Sequence, residues 1–202
     1  DSSFPPLMKT PRLALLSALS LSVGASVSLA TAADWPAYRG PVGDGKSEES
    51  LSKKVVPSEP VWKIETNLGF SSFTVADGKA YTLVIREIDG NPMEVCVALD
   101  AATGEEIWAA PLWIGLNYGH DGGNSGAPGN NGGDGPRSTP VVDGDRVFVL
   151  DSHLRLYSLE VSSGEQAWAI DLEKKNGGEN IKWMNAASPV VDGDRVFVAA
   201  GG

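Results

Sequence analysis

Hydrophobic and polar residues alternate in short runs over most of the chain beyond residue 58, with turn residues between the runs. Alternation with a period of two is typical of β-strands that bury one face, and no run has the 3.6-residue period of an amphipathic helix. Asp-Gly pairs at 77–78 and 143–144 are signals for tight hairpins. The pattern therefore predicts antiparallel sheets built from consecutive strands.

The predicted strands form groups of four. The first group is predicted at residues 71–76, 80–85, 95–99 and 107–108, with a turn at 89–92 and a further strand before the group at Val61–Glu65. The second group is predicted at residues 139–142, 146–150, 154–159 and 166–170. A third group begins at residues 188–198.

These groups are internal repeats. Pro140–Val149 recurs letter for letter as Pro189–Val198, 49 residues further on. Four strands per repeat of about 45–50 residues is the sequence signature of a β-propeller blade. The fold class is therefore predicted to be all-β, a β-propeller of four-stranded antiparallel blades, with a β-sandwich as the alternative.

One motif organises each repeat. Ala98–Trp108 contains a turn in which the Asp100 side chain can accept backbone hydrogen bonds and Gly104 can adopt a positive φ. Trp108 then supplies a large apolar surface for packing. The second copy, Ser158–Trp168, keeps Gly164 and Trp168 at the same spacing. We interpret Asp100, Gly104, Trp108, Gly164 and Trp168 as a structural docking motif between blades.

The charge balance excludes one class of partner. The formal net charge is −10, so the chain lacks the basic surface expected of a nucleic-acid-binding protein. Cys96 is the only cysteine of the sequence, which leaves no intrachain disulfide and no CxxC metal or redox motif. Its apolar strand favours a small buried side chain.

The first residues have the pattern of a secretory signal peptide. Met8–Arg12 is basic, Leu13–Leu29 is apolar and uncharged, and Ala30–Ala32 is a small-x-small cleavage site. A membrane anchor is the alternative, but the serine content and the cleavage site favour removal. Residues 1–33 are thus interpreted as upstream residues plus the signal peptide, with no stable membrane anchor and a periplasmic or extracellular mature protein.

Residues 34–58 are interpreted as an N-terminal arm. Gly40–Ser47 formally matches the phosphate-loop pattern GxxxxGK[ST]. That motif functions between a buried strand and a helix, where backbone N–H groups meet the phosphates. No apolar strand precedes it and no amphipathic helix follows, so a surface arm is favoured over a nucleotide site.

Several motifs together resemble a known family. Ala98–Trp108 fits the pattern AxDxxTGxxxW, and the opening Asp34–Pro41 and the stretch Gly133–Pro140 add to the likeness. The chain resembles the pyrroloquinoline-quinone (PQQ)-like β-propellers, in a secreted bacterial branch. This family includes quinoprotein alcohol dehydrogenases and the propeller subunit of the outer-membrane assembly machinery. The resemblance implies a ring of seven or eight blades, of which residues 59–202 would be a partial, N-terminal piece.

The same resemblance raises the question of a PQQ cofactor. Quinoprotein dehydrogenases are expected to hold PQQ with Ca²⁺ and to carry an adjacent cysteine pair against the cofactor, which this sequence lacks. No catalytic residue, cofactor ligand or metal ligand can be assigned by the motif. The family motif is structural, and a fold does not fix a function.

The long glycine-rich connection over residues 113–137 is the candidate ligand loop, because long irregular loops are often functional. A flexible insertion without a ligand, or a calcium site at Asp121, Asn124, Asn131 and Asp134, is the alternative. The candidate contact residues are Trp113, Tyr118, His120, Asp121, Asp134 and Arg137.

The function predicted from the sequence is therefore an extracytoplasmic binding or scaffold module. A protein or a small molecule would bind one face of the propeller. The alternative is a PQQ-dependent quinoprotein dehydrogenase that oxidises alcohols or sugars.

Overall fold

The computed structural model describes residues 33–49, 59–113, 135–180 and 184–201. Two four-stranded antiparallel sheets dominate this part of the chain, and a two-stranded ribbon follows them. Sheet 1 contains β1 (Thr74–Ala76), β2 (Lys79–Ile88), β3 (Asn91–Asp100) and β4 (Glu106–Pro111) in sequential order. Sheet 2 contains β5 (Val141–Asp143), β6 (Arg146–Leu150), β7 (Arg155–Glu160) and β8 (Gln166–Asp171). The ribbon pairs β9 (Val190–Asp192) with β10 (Arg195–Phe197), and one short helix, α1 (Leu172–Asn176), follows β8.

The predicted all-β, four-stranded architecture is confirmed. Both sheets also share a local irregularity, because the register between the third and fourth strands shifts at Ala98/Leu99 in sheet 1 and at Ser158/Leu159 in sheet 2. A bulge at the same place in two repeats bends both sheets in the same way. The repetition seen in the sequence is therefore a repetition of backbone geometry.

Three details of the prediction are corrected. Val61–Glu65 is not a strand, because it has no strand partner among the described residues. In the β2–β3 hairpin the turn is shorter than predicted: the two strands enclose only Asp89 and Gly90, and both reach ten residues. In sheet 2 the turn lies at 144–145, one residue later than predicted, since Asp143 still pairs with Arg146.

The two sheets pack face to face. A single apolar cluster joins Tyr81, Leu83 and Cys96 of sheet 1 to Val147 and Leu159 of sheet 2, and all five are buried. Burying apolar surface stabilises the fold by roughly 25 cal/mol per Å². The stability of each sheet therefore depends on its contact with the other sheet.

The first strands of the repeats are tied together by hydrogen bonds. The Thr74 hydroxyl donates to the Pro140 carbonyl at 2.5 Å, and the Thr139 N–H donates to the Ser188 hydroxyl at 2.9 Å. The arm joins the same edge, since Trp35 exchanges two backbone hydrogen bonds with Val75. The residues that match the phosphate-loop pattern form turns and bends and lead into no helix up to Glu49.

Candidate functional site

The interface between the two sheets begins with a tryptophan on a glycine turn. The Trp108 indole lies against Gly164, where an added Cβ would be only 2.6 Å from the ring. Its Nε1 donates to the Val161 carbonyl at 3.0 Å. Trp62 makes the same pair of contacts with the preceding turn, over Gly104 and to the Ala101 carbonyl at 3.0 Å.

The turn that receives Trp62 is shaped by Asp100. One carboxylate oxygen accepts hydrogen bonds from the N–H groups of Thr103 and Ala102, both at 2.9 Å, and from the Thr103 hydroxyl at 3.1 Å. These donors, that of the Thr103 backbone first, hold the pKa of Asp100 below its usual value. Gly104 has φ of 76°, a conformation that few residues other than glycine adopt.

Trp168 occupies the equivalent place in sheet 2 but differs in its surroundings. It is 38% exposed, and its ring lies 5.9 Å from that of Phe148. No glycine turn covers it among the described residues.

The predicted ligand loop is only partly described. Tyr118, His120, Asp121 and Asp134 lie outside the described residues, as do Asn124 and Asn131. Trp113 and Arg137 are described, but they take part in different contacts. The Arg137 guanidinium lies over the Phe70 ring at 5.1 Å, whereas Trp113 lies beside Arg155.

A buried polar cluster lies where sheet 1 meets the β6–β7 connection of sheet 2. The Glu94 carboxylate, fully buried in β3, accepts the Ser152 N–H with both oxygens at 3.2 Å. Asp151, also fully buried, accepts the N–H groups of His153 at 2.9 Å and Arg155 at 2.7 Å. One carboxylate from sheet 1 and one within the β6–β7 connection thus bind the backbone of that connection.

Asp151 is also joined to side chains of β7. The Tyr157 hydroxyl donates to its second oxygen at 3.3 Å, and the Arg155 guanidinium lies 3.7 Å from the same oxygen. Burial raises the pKa of Asp151 to about 6, against the opposing effects of these donors and of the Arg155 charge. Burial, with the nearby Asp151 charge, likewise raises the pKa of Tyr157.

Arg155 connects this cluster to an open cleft. Its guanidinium lies 3.9 Å from the ring of Trp113, which follows β4, and 3.7 Å from the carboxylate of Asp171 at the end of β8. A cation over an indole face is attractive, and more so where water is excluded. Its Nε and Nη1 atoms are buried and have no hydrogen-bond partner within the described ranges, and the side chain is only 16% exposed.

The cleft has a volume of about 660 Å³, within the range of ligand sites, and lies between the β2–β3 hairpin, the end of β4 and the end of β8. Most of its surface is apolar, with a few charged groups at the edge. The lining residues are Ile88, Asp89, Asn91, Met93, Pro111, Leu112, Trp113, Arg155, Tyr157, Gln166, Ala169, Ile170, Asp171 and Lys174.

Sequence reasoning found Trp113 but missed Glu94, Asp151 and Arg155. The Asp151–His153 segment reads only as a short connection between strands. Glu94 does carry a signal, because it is a carboxylate between Met93 and the apolar run that begins at Val95. A charged residue in a strand that is otherwise apolar is buried only when it has partners.

Neither an accessible cysteine nor a metal-binding cluster occurs among the described residues. Cys96 is fully buried in the apolar cluster, and burial raises the pKa of its thiol, so it faces no open space. No group of three or more His, Cys, Asp or Glu side chains that could hold a metal ion occurs among the described residues. Nor does this part contain a helix long and apolar enough to cross a membrane.

Comparison with known proteins places this geometry in a family. The family model described as outer membrane protein assembly factor BamB matches residues 59–202. The chain therefore belongs to this family of PQQ-like repeat propellers. No curated protein sequence matches the chain significantly.

The chain is also similar to several solved structures. Quinohemoprotein alcohol dehydrogenase from Comamonas testosteroni matches with a TM-score of 0.59 and 20% identity, over 81% of this chain and 22% of that chain. BamB from Moraxella catarrhalis matches with a TM-score of 0.36 and 16% identity, over 62% of this chain and 28% of that chain. Quinohemoprotein alcohol dehydrogenase ADHIIG from Pseudomonas putida HK5 matches with a TM-score of 0.42 and 21% identity, over 67% of this chain and 17% of that chain. The chain thus spans less than a third of the length of each, and at these identities the first match shows the propeller fold alone.

Proposed function

We propose that this chain is part of an extracytoplasmic β-propeller that acts as a binding or scaffold module. The observation that carries the proposal is the cleft between the two sheets, where Trp113 and Arg155 are held in place by contacts from both repeats. Tryptophan and arginine are the side chains most often responsible for binding energy at protein interfaces. Here they line an open cleft on a rigid frame of strands.

Two observations support a location outside the cytoplasm. The order of basic, apolar and small residues over 8–32 fits a secretory signal peptide. The matching family model carries the description of an outer membrane protein assembly factor. A periplasmic or extracellular propeller is proposed on these grounds.

The second candidate, a PQQ-dependent dehydrogenase, rests on the likeness to quinohemoprotein alcohol dehydrogenases. The residues described here do not fit that cofactor, because the sequence has a single cysteine and Cys96 is enclosed by apolar side chains. No reaction step is therefore derived from this chain.

The experiment uses the full-length protein and separates the two functions. A photo-crosslinking amino acid is placed at Gln166, an exposed residue of the cleft, and at Val61 as an exposed control. If a partner binds in the cleft, the crosslinking residue at position 166 should form a discrete adduct with it. The crosslinking residue at position 61 should form none. In parallel, the protein is incubated with PQQ, Ca²⁺, alcohols or sugars and a redox dye. Substrate-dependent dye reduction would overturn the binding proposal in favour of the enzyme.

A further inference from the structure

We infer that the cleft between the sheets binds an extended peptide segment that presents a large apolar side chain and carries no carboxylate. The inference deepens the proposed function, on which it rests, by naming the chemistry of the partner. It is drawn from three features of the cleft: its apolar wall, the contacts of the Arg155 guanidinium and the charges that surround that guanidinium.

The apolar wall comes from both sheets. Met93 and Leu112 form its buried part, while Ile88 and Ile170 stand partly exposed at its edges. A volume of about 660 Å³ exceeds what one side chain fills, so the cleft has room for a side chain and its flanking backbone. A sugar would instead need a lining dominated by hydrogen-bonding groups, because each of its hydroxyls must be paired.

Arg155 supplies the polar contact. Its guanidinium is held by Trp113 and by two carboxylates at 3.7 Å, and its Nε and Nη1 atoms are buried without a hydrogen-bond partner in the described part. An acceptor in the cleft would therefore meet the guanidinium at Nη2. A guanidinium has five N–H donors, and a largely buried one gains free energy from each acceptor that reaches it. The peptide carbonyl is an uncharged acceptor that an extended segment carries at every residue.

The surrounding charges decide against an anion. The lining contains Asp89 and Asp171 as well as Arg155 and Lys174, and Asp151 lies directly behind the guanidinium. Among the described residues, three carboxylates against two cations leave the region negative, in a chain whose net charge is −10. A carboxylate on the ligand would face this repulsion, whereas a neutral carbonyl would not.

Trp113 makes the binding observable. It is 40% exposed at the cleft, whereas Trp168 in β8 is 38% exposed and is not among the lining residues. The full-length protein is labelled with 5-fluorotryptophan, and the Trp113 and Trp168 signals are assigned from Trp113→Phe and Trp168→Phe. Movement of the Trp113 signal without that of Trp168 reports occupation of the cleft.

The probes are blocked pentapeptides, acetylated and amidated, with Leu, Gly or Glu at the centre and Ser-Gly flanks, together with maltose. The inference predicts a saturable shift of the Trp113 signal with the leucine peptide and binding at least about tenfold weaker for the glycine and glutamate peptides, a difference of about 1.4 kcal/mol. It is overturned if the glutamate peptide binds as tightly as the leucine peptide, if maltose shifts the Trp113 signal instead, or if the leucine peptide produces no saturable shift.

A matched pair of variants locates the site. Ile88→Glu adds a carboxylate at the edge of the cleft, and Val61→Glu adds the same charge at a position 89% exposed and away from it. Leucine-peptide affinity should fall at least about tenfold in the first and stay within about twofold in the second. If Ile88→Glu fails to fold, Gln166→Glu, at an exposed lining residue, makes the same test. Equal affinity for the leucine peptide in the cleft variant and in Val61→Glu would show that the cleft is not the binding site. This result does not depend on whether the protein reduces a dye in the presence of PQQ.

Discussion

Trp108 and Gly164 are in contact so close that the turn has no room for a Cβ: one built at Gly164 would lie 2.6 Å from the indole. The same relation holds between Trp62 and Gly104, at 2.7 Å. The glycine is thus required twice over, for its positive φ and for the space that it leaves. At both turns the contact with the indole depends on the absence of a side chain.

Replacing Gly164 with Ala should therefore destabilise the fold by roughly 2–4 kcal/mol, the sum of a strained φ of 73° and a clash with Trp108. Gly144→Ala is the matched control, because Gly144 also has a positive φ but an added Cβ would meet no atom within 4 Å. The free energy of unfolding of this control variant should fall by only about 1–2 kcal/mol. Urea unfolding of the full-length variants measures both, and equal losses would show that the contact with the indole is not limiting.

Removing the tryptophan tests the other half of the contact. Trp108→Ala should cost about 3–5 kcal/mol, because Trp108 is 8% exposed and its loss leaves a cavity between the sheets. Trp168→Ala should cost about 1 kcal/mol or less, since that side chain is 38% exposed. A loss below 1 kcal/mol for Trp108 in the same unfolding assay would contradict its role as a buried contact.

Asp151 should make stability depend on pH. Burial raises its pKa from a usual value of 3.8 to about 6, so the folded state holds a proton that the unfolded state has already lost between these values. The contribution of Asp151 to stability therefore falls as pH rises from about 4 to about 6. Asp151→Asn should remove this part of the pH dependence, measured as the variant-minus-wild-type difference in unfolding free energy at each pH.

The control for that measurement is Asp194→Asn, which removes a charge from a side chain 95% exposed. Other carboxylates act in the opposite direction at low pH: hydrogen bonds lower the pKa of Asp100 and Asp171, so their stabilisation is lost as pH falls through their folded-state values. A difference profile for Asp151→Asn that is flat between pH 4 and 7 would contradict the assignment.

Cys96 should be unreactive in the folded protein. It is fully buried, and burial raises the pKa of its thiol, so both access and the thiolate fraction are low. Its reaction with a thiol reagent such as dithionitrobenzoate at pH 8 should be at least about 100-fold slower than in urea-unfolded protein. Rapid modification under native conditions, with a signal from one thiol per chain, would mean that β3 opens readily.

The order and type of most strands could be predicted from the sequence, because alternation and hairpin turns are local signals. The repeat Pro140–Val149 shows the limit of what these local signals can predict. Its copy at Pro189–Val198 has identical residues, yet Val141 is 4% exposed whereas its counterpart Val190 is 58% exposed. Burial is decided by the neighbouring sheet, and no local pattern contains that neighbour.

The sequence by itself determined the fold class, the repeat and the glycine turns, since each depends on residues close together in the chain. Only the tertiary structure decided that Glu94 and Asp151, 57 positions apart, bind one connection, and that Arg155 stacks on Trp113 at the edge of a cleft. The physical reason is that a buried charge is tolerated only with specific partners, and the partner of Glu94, the Ser152 N–H, lies 58 positions away in the chain. The packing of sheet 1 on sheet 2, to which the Trp108–Gly164 contact belongs, thus also places the two walls of the cleft side by side.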